Sequence, residues 1–267
     1  MSGTPHAISS TATTRAVVRL LDQAEHLDWK TAKVCDVGAG RGHFSHALSE
    51  KLIADHGADP AEHVFPCDLI PDTFEYDKLA CTKTGSDGKL PYEDDTFDAT
   101  VSIEVIEHVE DQFHFLREMA RVTKPNGIVI VTTPNTLNLN SRLRTLLWGF
   151  PGLYDPLPLE DQDIRFLGGH IHPISPYFLA YGALRAGLYF PRFVPDRTKR
   201  SAVAWSVLLW PFLAISGALN KARIRRKRPE LLAQNAELVE MLGSRTLLTA
   251  RTAVMHAIKS ETPMRAR

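Results

Sequence analysis

Cysteine is scarce: Cys35, Cys67 and Cys81 are the only three in 267 residues. They are too few for a disulfide framework and too widely spaced for a zinc pattern, which excludes a stapled secreted domain and fits a reducing cytoplasm. An excess of one charge is also missing. Lys plus Arg and Asp plus Glu both number 31, so the formal net charge is zero, and any attraction to nucleic acid or to an anionic surface must be local. No internal repeat is visible. Residues 1–14 are small and polar and lack the apolar run of a secretory signal, so a frayed tail is expected there. Charge of either sign is absent from 201–220, whereas 221–228 is nearly all basic. The remainder is ordinary globular material, 44% hydrophobic and 23% charged, enough to bury one substantial core.

From 33 to 133, short β-branched runs alternate with stretches of helical period, the pattern of βαβ units around a parallel sheet. The spacing predicts strands at 33–37, 63–67, 78–82, 99–103 and 127–133, with helices at 42–55 and 105–122. Lys124-Pro125-Asn126-Gly127 reads as a helix stop and a turn. The rhythm fails over 134–172, where Pro, Gly, Asn and aromatics suggest an ordered lid with short helical pieces over an active site. Ser175-Pro176 looks like a cap and first helical position for a helix through Arg185, ended by Gly187 before a strand at 188–194. A helix at 229–242 and a closing strand at 246–258 complete the expectation of a doubly wound, Rossmann-like α/β sheet, mostly parallel with an antiparallel last strand. The organisation implied is a tail and helix (1–32), a core (33–198), an apolar and basic helical insertion (199–228) and a closing segment (229–267).

The segment Asp36-Val37-Gly38-Ala39-Gly40-Arg41-Gly42 puts a glycine turn between a predicted strand and a predicted helix. Glycines let the backbone approach a ligand closely, and the helix N-terminus offers free N–H groups. Glycines at 38, 40 and 42 do not have the Gly-x-Gly-x-x-Gly spacing of a dinucleotide site. A carboxylate at Asp36 suits a cationic amine or sulfonium better than a pyrophosphate. This segment resembles the first motif of the class I S-adenosylmethionine-dependent methyltransferases. Cys67-Asp68-Leu69 is similar to the end of that family's second strand, and the stretch from Leu90 to Asp98 to the approach to its fourth. The resemblance, which covers roughly 33–194, implies S-adenosylmethionine as cofactor. Its implied contacts are Asp36, Gly38, Ala39, Gly40 and Ile103, with Asp68 accepting from the ribose hydroxyls and Asp87 from the adenine amine.

Ser102-Ile103-Glu104-Val105-Ile106-Glu107-His108 lies where the fourth strand passes into its helix, the end at which open α/β sheets bind ligands. On a helix, residues 104, 107 and 108 are three and four apart and share one face. Such a cluster can hold a divalent ion or let His108 act as a general base. An acid pair complementing the helix dipole is the plainer reading. The segment resembles the Glu-Val-x-Glu-His motif of ubiquinone-pathway O-methyltransferases and of small-RNA 3′-terminal 2′-O-methyltransferases, which implies magnesium, manganese or cobalt held by Glu104, Glu107, His108 and His172. Thr133-Pro134-Asn135 extends the likeness to the RNA enzymes. His108 and His172 are the candidate catalytic bases, and His170 is the rival to His172.

The density of acids and imidazoles leans toward an oxygen acceptor that is a small molecule, lipid-linked or a glycan. The alternatives are an N-methyltransferase, a small-RNA 2′-O-methyltransferase, a silent cofactor-binding partner subunit or a nicotinamide dehydrogenase. RNA receives little support, because basic residues concentrate in 221–228 instead of along a broad groove. The charge-free 201–220, with Trp205 and Trp210 inside it and basic residues on both flanks, reads as an in-plane or re-entrant contact with an anionic membrane on its cytoplasmic face. A buried helix or a dimer face is the competing explanation.

Overall fold

The computed structural model describes residues 11–157, 159 and 169–261. Of the tail expected at 1–14, residues 1–10 lie outside the described residues, as does the part of the lid at 158 and 160–168. Thr11 to Thr14 are not frayed: they open α1 (Thr11–Asp22), with Thr13 and Thr14 buried.

The chain then runs β1 (Val34–Val37), α2 (His43–His56), α3 (Pro60–His63), β2 (Val64–Asp68), β3 (Thr82–Lys83), β4 (Phe97–Ile103), α4 (Gln112–Val122), β5 (Thr123–Pro134), α5 (Leu139–Trp148) and α6 (Pro176–Arg185). It finishes with β6 (Leu188–Pro195), α7 (Arg200–Lys227), α8 (Pro229–Gln234), α9 (Ala236–Met241), α10 (Arg245–Thr249) and β7 (Thr252–Lys259). One seven-stranded sheet has the order β3-β2-β1-β4-β5-β7-β6. Strands β1 to β5 pair in parallel, and β7 lies antiparallel between β5 and β6. This is the expected doubly wound α/β sheet with an antiparallel last strand.

Period-two alternation sends each strand's residues to opposite faces. Val34, Ala99, Val101, Ile128 and Ile130 pack with Val17, Leu21, Leu48 and Leu52 of α1 and α2. Cys35, Val37, Val129 and Val131 pack on the other side with Leu116 and Met119 of α4 and Leu179 and Ala183 of α6. Covering both faces explains why the strands read as nearly continuous apolar runs.

Several expected elements are corrected. The strand foreseen at 78–82 shrinks to β3, because only Cys67–Thr82 and Asp68–Lys83 pair. Thr123 already pairs with Phe97, so Lys124 to Gly127 form an irregularity inside β5, with Asn126 at φ 64°. The helix foreseen at 105–122 starts at Gln112, where the Asp111 carboxylate accepts from His114 N. Residues Ile106–His108 form only a 3₁₀ turn. The helix at 229–242 breaks at Asn235, whose side chain bonds Leu231 O and receives the Tyr177 hydroxyl. The strand at 246–258 begins late, because Ser244 accepts from Leu247 N and caps α10.

Thr133-Pro134-Asn135 has a structural task. Asn135 is 1% exposed, and its Nδ2 donates to Leu247 O and Ala250 O at 2.9 and 3.0 Å. Its Oδ1 accepts from Leu137 N at 3.0 Å. The amide therefore clamps the exit of β5 onto α10. Asn135→Ala strands two buried carbonyls, and urea denaturation is expected to show a loss of about 2–4 kcal/mol. A loss under about 0.5 kcal/mol would show that the clamp carries no stability.

Candidate functional site

The parallel sheet reverses its winding between β1 and β4, so the carboxyl ends of these two strands frame a crevice. At the end of β1, Gly38 N and Ala39 N both donate to Cys67 O, at 2.8 and 3.1 Å. The turn is thereby pinned to β2. Asp68 finishes the anchoring: its Oδ2 accepts from Gly40 N at 2.9 Å and its Oδ1 from Ile70 N at 2.8 Å. Gly38 sits at φ 74°, and a Cβ there would stand 2.5 Å from a Val105 methyl. Gly40, at φ 54°, has nothing within 4 Å of where its Cβ would point. That opening, with α2 entered at Gly42 without a side-chain cap, gives a ligand access to bare backbone and a positive helix end.

Asp36 does not face this opening. It is 2% exposed and accepts from Ser45 Oγ of α2 at 2.6 Å, since its place in β1 turns it toward the helix layer. Burial pushes its carboxyl up to about 7 against the pull of the Ser45 bond. Asp36 thus braces the turn from beneath. Asp87 lies in an exposed loop. Its Oδ1 accepts from Lys89 N at 3.0 Å and closes its own exposed loop. Ile103 ends β4 in the buried layer.

Beyond Ile103, Glu104 takes the left-handed conformation at φ 54°, and its N–H donates to Thr132 O and to Thr132 Oγ1. With that kink, Glu104, Glu107 and His108 do not share a helical face. Glu104 turns toward β7, its Oε1 lying 3.4 Å from both Arg251 and Thr252 Oγ1. Glu107 is fully buried, and neither carboxylate oxygen has a hydrogen-bond partner among the described residues. The Thr133 hydroxyl lies beside it without settling into hydrogen-bond geometry, and the buried Tyr154 hydroxyl is likewise unpartnered.

The structure brings Glu107, His108 and His170 together, with one ligand atom of each within 4.8 Å of the others. His108 Nδ1 bonds Gly169 O at 2.8 Å, and His170 Nδ1 bonds Leu153 O at 2.7 Å. A carbonyl only accepts, so both Nδ1 atoms carry hydrogen and both Nε2 atoms keep a lone pair. Burial holds both imidazoles below the ordinary histidine range, hence neutral near pH 7. His172 lies outside the cluster. Its Nδ1 faces Val109 O at 3.2 Å, and it lines an open groove of about 560 Å³ with Glu110, Asp111 and Gln112. Of the expected set Glu104, Glu107, His108 and His172, the structure brings Glu107 and His108 together, with His170 as the third member. Tyr154 was missed; its only signal is being one of several aromatics in the lid. Arg251 was missed because nothing local marks it.

Burial moves Glu107 from an ordinary 4.5 up to about 8, and the Glu104 charge adds to the shift. Between these values the folded chain holds a proton that the unfolded chain has released, so stability falls as pH rises from 4.5 to 8. Asp36 acts with the same sign between 3.8 and about 7. Urea midpoints measured across this range, without added metal, are expected to decline with pH, and Glu107→Gln is expected to remove the upper part of the decline. A Glu107→Gln profile parallel to wild type up to pH 8 would contradict the assignment.

A family model described as a methyltransferase domain matches residues 35–131. The chain is 32% identical over 106 residues to a protein of Mycolicibacterium smegmatis named "probable S-adenosylmethionine-dependent methyltransferase", covering 38% of this chain and 41% of that one. It thus spans about two fifths of that relative's length. Its similarity to a ubiquinone biosynthesis O-methyltransferase of Caulobacter vibrioides is longer, 30% identity over 186 residues, covering 61% of this chain and 68% of that one. Among solved structures, the fold is shared with an S-adenosylmethionine-dependent methyltransferase of Mesorhizobium loti, at TM-score 0.51 and 17% identity over 93% of this chain and 99% of the other.

Proposed function

Because the chain belongs to the class I S-adenosylmethionine-dependent methyltransferases, we propose that it methylates a hydroxyl oxygen of a small-molecule, lipid-linked or glycan acceptor. The observation that carries the oxygen assignment is the triad of Glu107, His108 and His170 at the mouth of the sheet. A neutral amine is already nucleophilic, whereas a hydroxyl must lose its proton as the new bond forms. Two neutral imidazoles with free Nε2 lone pairs beside a buried carboxyl supply that need. The similarity to the Caulobacter ubiquinone biosynthesis O-methyltransferase supports the same choice.

The glycine turn suits the cofactor, with open space above Gly40 and the Asp68 carboxylate beside it. Bound there, S-adenosylmethionine supplies an electrophilic methyl on a sulfonium. Gly38, Ala39 and Gly40 let the backbone lie against it. Asp68 exchanges its Gly40 bond for the ribose hydroxyls, two acceptor oxygens meeting a diol. With that methyl presented to the acceptor hydroxyl, an O–CH₃ bond would form as the S–CH₃ bond breaks, and His108 Nε2 would take the acceptor's proton. His170 and Tyr154 wall the acceptor side and exclude water.

The triad also fits a divalent ion, because Glu107 offers two orphaned oxygens and each histidine an Nε2 oriented by a backbone carbonyl. Magnesium, manganese or cobalt held by Glu107, His108 and His170 would lower the pKa of an acceptor hydroxyl.

The test combines two measurements. Calorimetry with S-adenosylhomocysteine is expected to show binding that Gly40→Val abolishes and that His108→Gln leaves intact. Radiolabelled methyl transfer into an extract of a deletion strain is expected to give an acid-stable methyl ether, with the His108→Gln rate down about 10²–10⁴-fold. Label recovered on an amine nitrogen would overturn the oxygen assignment, and no labelled product at all would overturn the enzyme.

A further inference from the structure

Helix α7 carries more bare apolar surface than a soluble fold needs. It is long and apolar enough by length and composition to cross a membrane, yet only 6% of its most apolar window is buried. A half-covered stripe through Val203, Ser206, Leu209 and Leu213 follows helical spacing. Trp205, Val207, Leu208, Trp210, Phe212 and Ile215 are exposed around the rest. A second bare group adjoins this helix. The start of α5 is tied to it through Asn140 Nδ2 and Ser201 Oγ at 2.7 Å, and α5 ends in Leu146, Leu147 and Trp148, at 79%, 81% and 64% exposure. Three of the chain's four tryptophans, Trp148, Trp205 and Trp210, therefore stand in these two exposed groups. Indole favours the boundary between acyl chains and headgroups.

The charges fit the same partner. From Arg197 to Pro229 there is no Asp or Glu, while basic residues cluster at both ends, with Lys221, Arg223, Arg225, Arg226, Lys227 and Arg228 at the second. A face that is apolar in the middle and basic at the rims complements an anionic bilayer surface.

Anchoring at both ends decides between lying in the bilayer and crossing it. At the start of α7, Lys199 N donates to Thr249 O at 2.9 Å and Ala202 is buried. Just after its end, Asn235 accepts from the Tyr177 hydroxyl at 3.1 Å, and Leu238 is buried in the core under α6. At 1.5 Å per residue the helix is about 42 Å long, and a hydrocarbon core is about 30 Å thick. Crossing it would put the basic end on the far side. Between Lys227 and Asn235, fully extended chain reaches at most about 28 Å, less where α8 coils it, and it would have to carry Arg228 and Glu230 back through hydrocarbon. Both anchors belong to one body, so the helix lies in the plane.

We propose that α7, with the tip of α5, docks the protein on an anionic lipid membrane, its apolar flank in the acyl boundary and its basic run on the headgroups. The contact is independent of the methyl-transfer reading, and no cofactor enters the test. Wild-type protein is mixed with vesicles of phosphatidylcholine alone and with added phosphatidylglycerol, then floated on a density gradient, and a melting curve is recorded for each variant. Binding is expected to prefer the anionic vesicles and to weaken between about 50 and 500 mM NaCl without vanishing, because the apolar part is unscreened. Val207→Glu with Phe212→Glu is expected to cut partitioning about tenfold or more at an unchanged melting temperature. Arg225→Glu with Arg226→Glu is expected to flatten the salt dependence. Brominated acyl chains are expected to quench the wild-type tryptophan fluorescence. Three outcomes overturn the proposal: wild type that stays with the solvent, an apolar variant that melts far lower, and a dimer that this variant dissolves while no vesicle binds. The last assigns the face to a second copy of the chain.

Discussion

Everything at the mouth of the sheet depends on how closely Gly38 and Val105 approach each other. A single methyl at residue 38 would collide with the Val105 side chain at 2.5 Å, so the turn after β1 and the exit of β4 have interlocked surfaces. The Cys67 carbonyl fixes the same turn from the other side by receiving two of its amides. The glycine turn is therefore held between β2 and the β4 exit, with Asp36 beneath it on Ser45. In such an arrangement the glycine turn and the exit of β4 are packed as one unit. Any side chain that moves the turn also moves Val105, and with it the 3₁₀ turn that carries Glu107 and His108.

Glu107 shows the electrostatic side of the same construction. A carboxylate with no access to water and no donor is costly, so burial leaves the Glu107 carboxyl holding its proton up to about pH 8. Arg251 pairs with Glu104, and Glu107 has no ion-pair partner among the described residues. Glu104 is held in its left-handed conformation by Thr132 at β5 and by Arg251 and Thr252 at the start of β7. That conformation costs about 1–3 kcal/mol, and the 3₁₀ turn carrying the buried Glu107 follows it directly. The strain and the unpaired carboxyl belong to one local design, as is common where a site is built to meet a ligand.

Much of the architecture could be read from the sequence because local signals agreed with the final fold. The β-branched runs at β1, β4 and β5 sit where both faces of a sheet are covered, and Ser175-Pro176 starts α6 as capping chemistry requires. The glycines at 38 and 40 do adopt positive φ. The errors fall where tertiary contacts override local pattern. The period through Val105 and Val122 is helical, yet the kink at Glu104 and the cap at Asp111 delay the helix, and the shared face of 104, 107 and 108 disappears with it. Choosing between His170 and His172 was beyond sequence, since a two-residue offset in a loop has no period to fix its direction. Tyr154 and Arg251 reach the region only through long-range folding. The run 246–249 is rich in β-branched and apolar residues yet coils into α10, because Ser244 offers a cap and Asn135 Nδ2 donates to the Leu247 and Ala250 carbonyls.

The two carbonyls that hold the imidazoles have one more consequence. Gly169 O and Leu153 O both belong to the segment between α5 and α6, whereas His108 belongs to the rigid exit of β4. The hydrogen on His108 Nδ1 is thus assigned by a loop and not by the sheet. With Nδ1 committed to the Gly169 carbonyl, the ring's remaining lone pair is directed to Nε2. The tautomer of a side chain carried by the sheet is thereby set by the backbone of the loop before α6, so that loop reaches the imidazole's electronic form without placing a side chain against it.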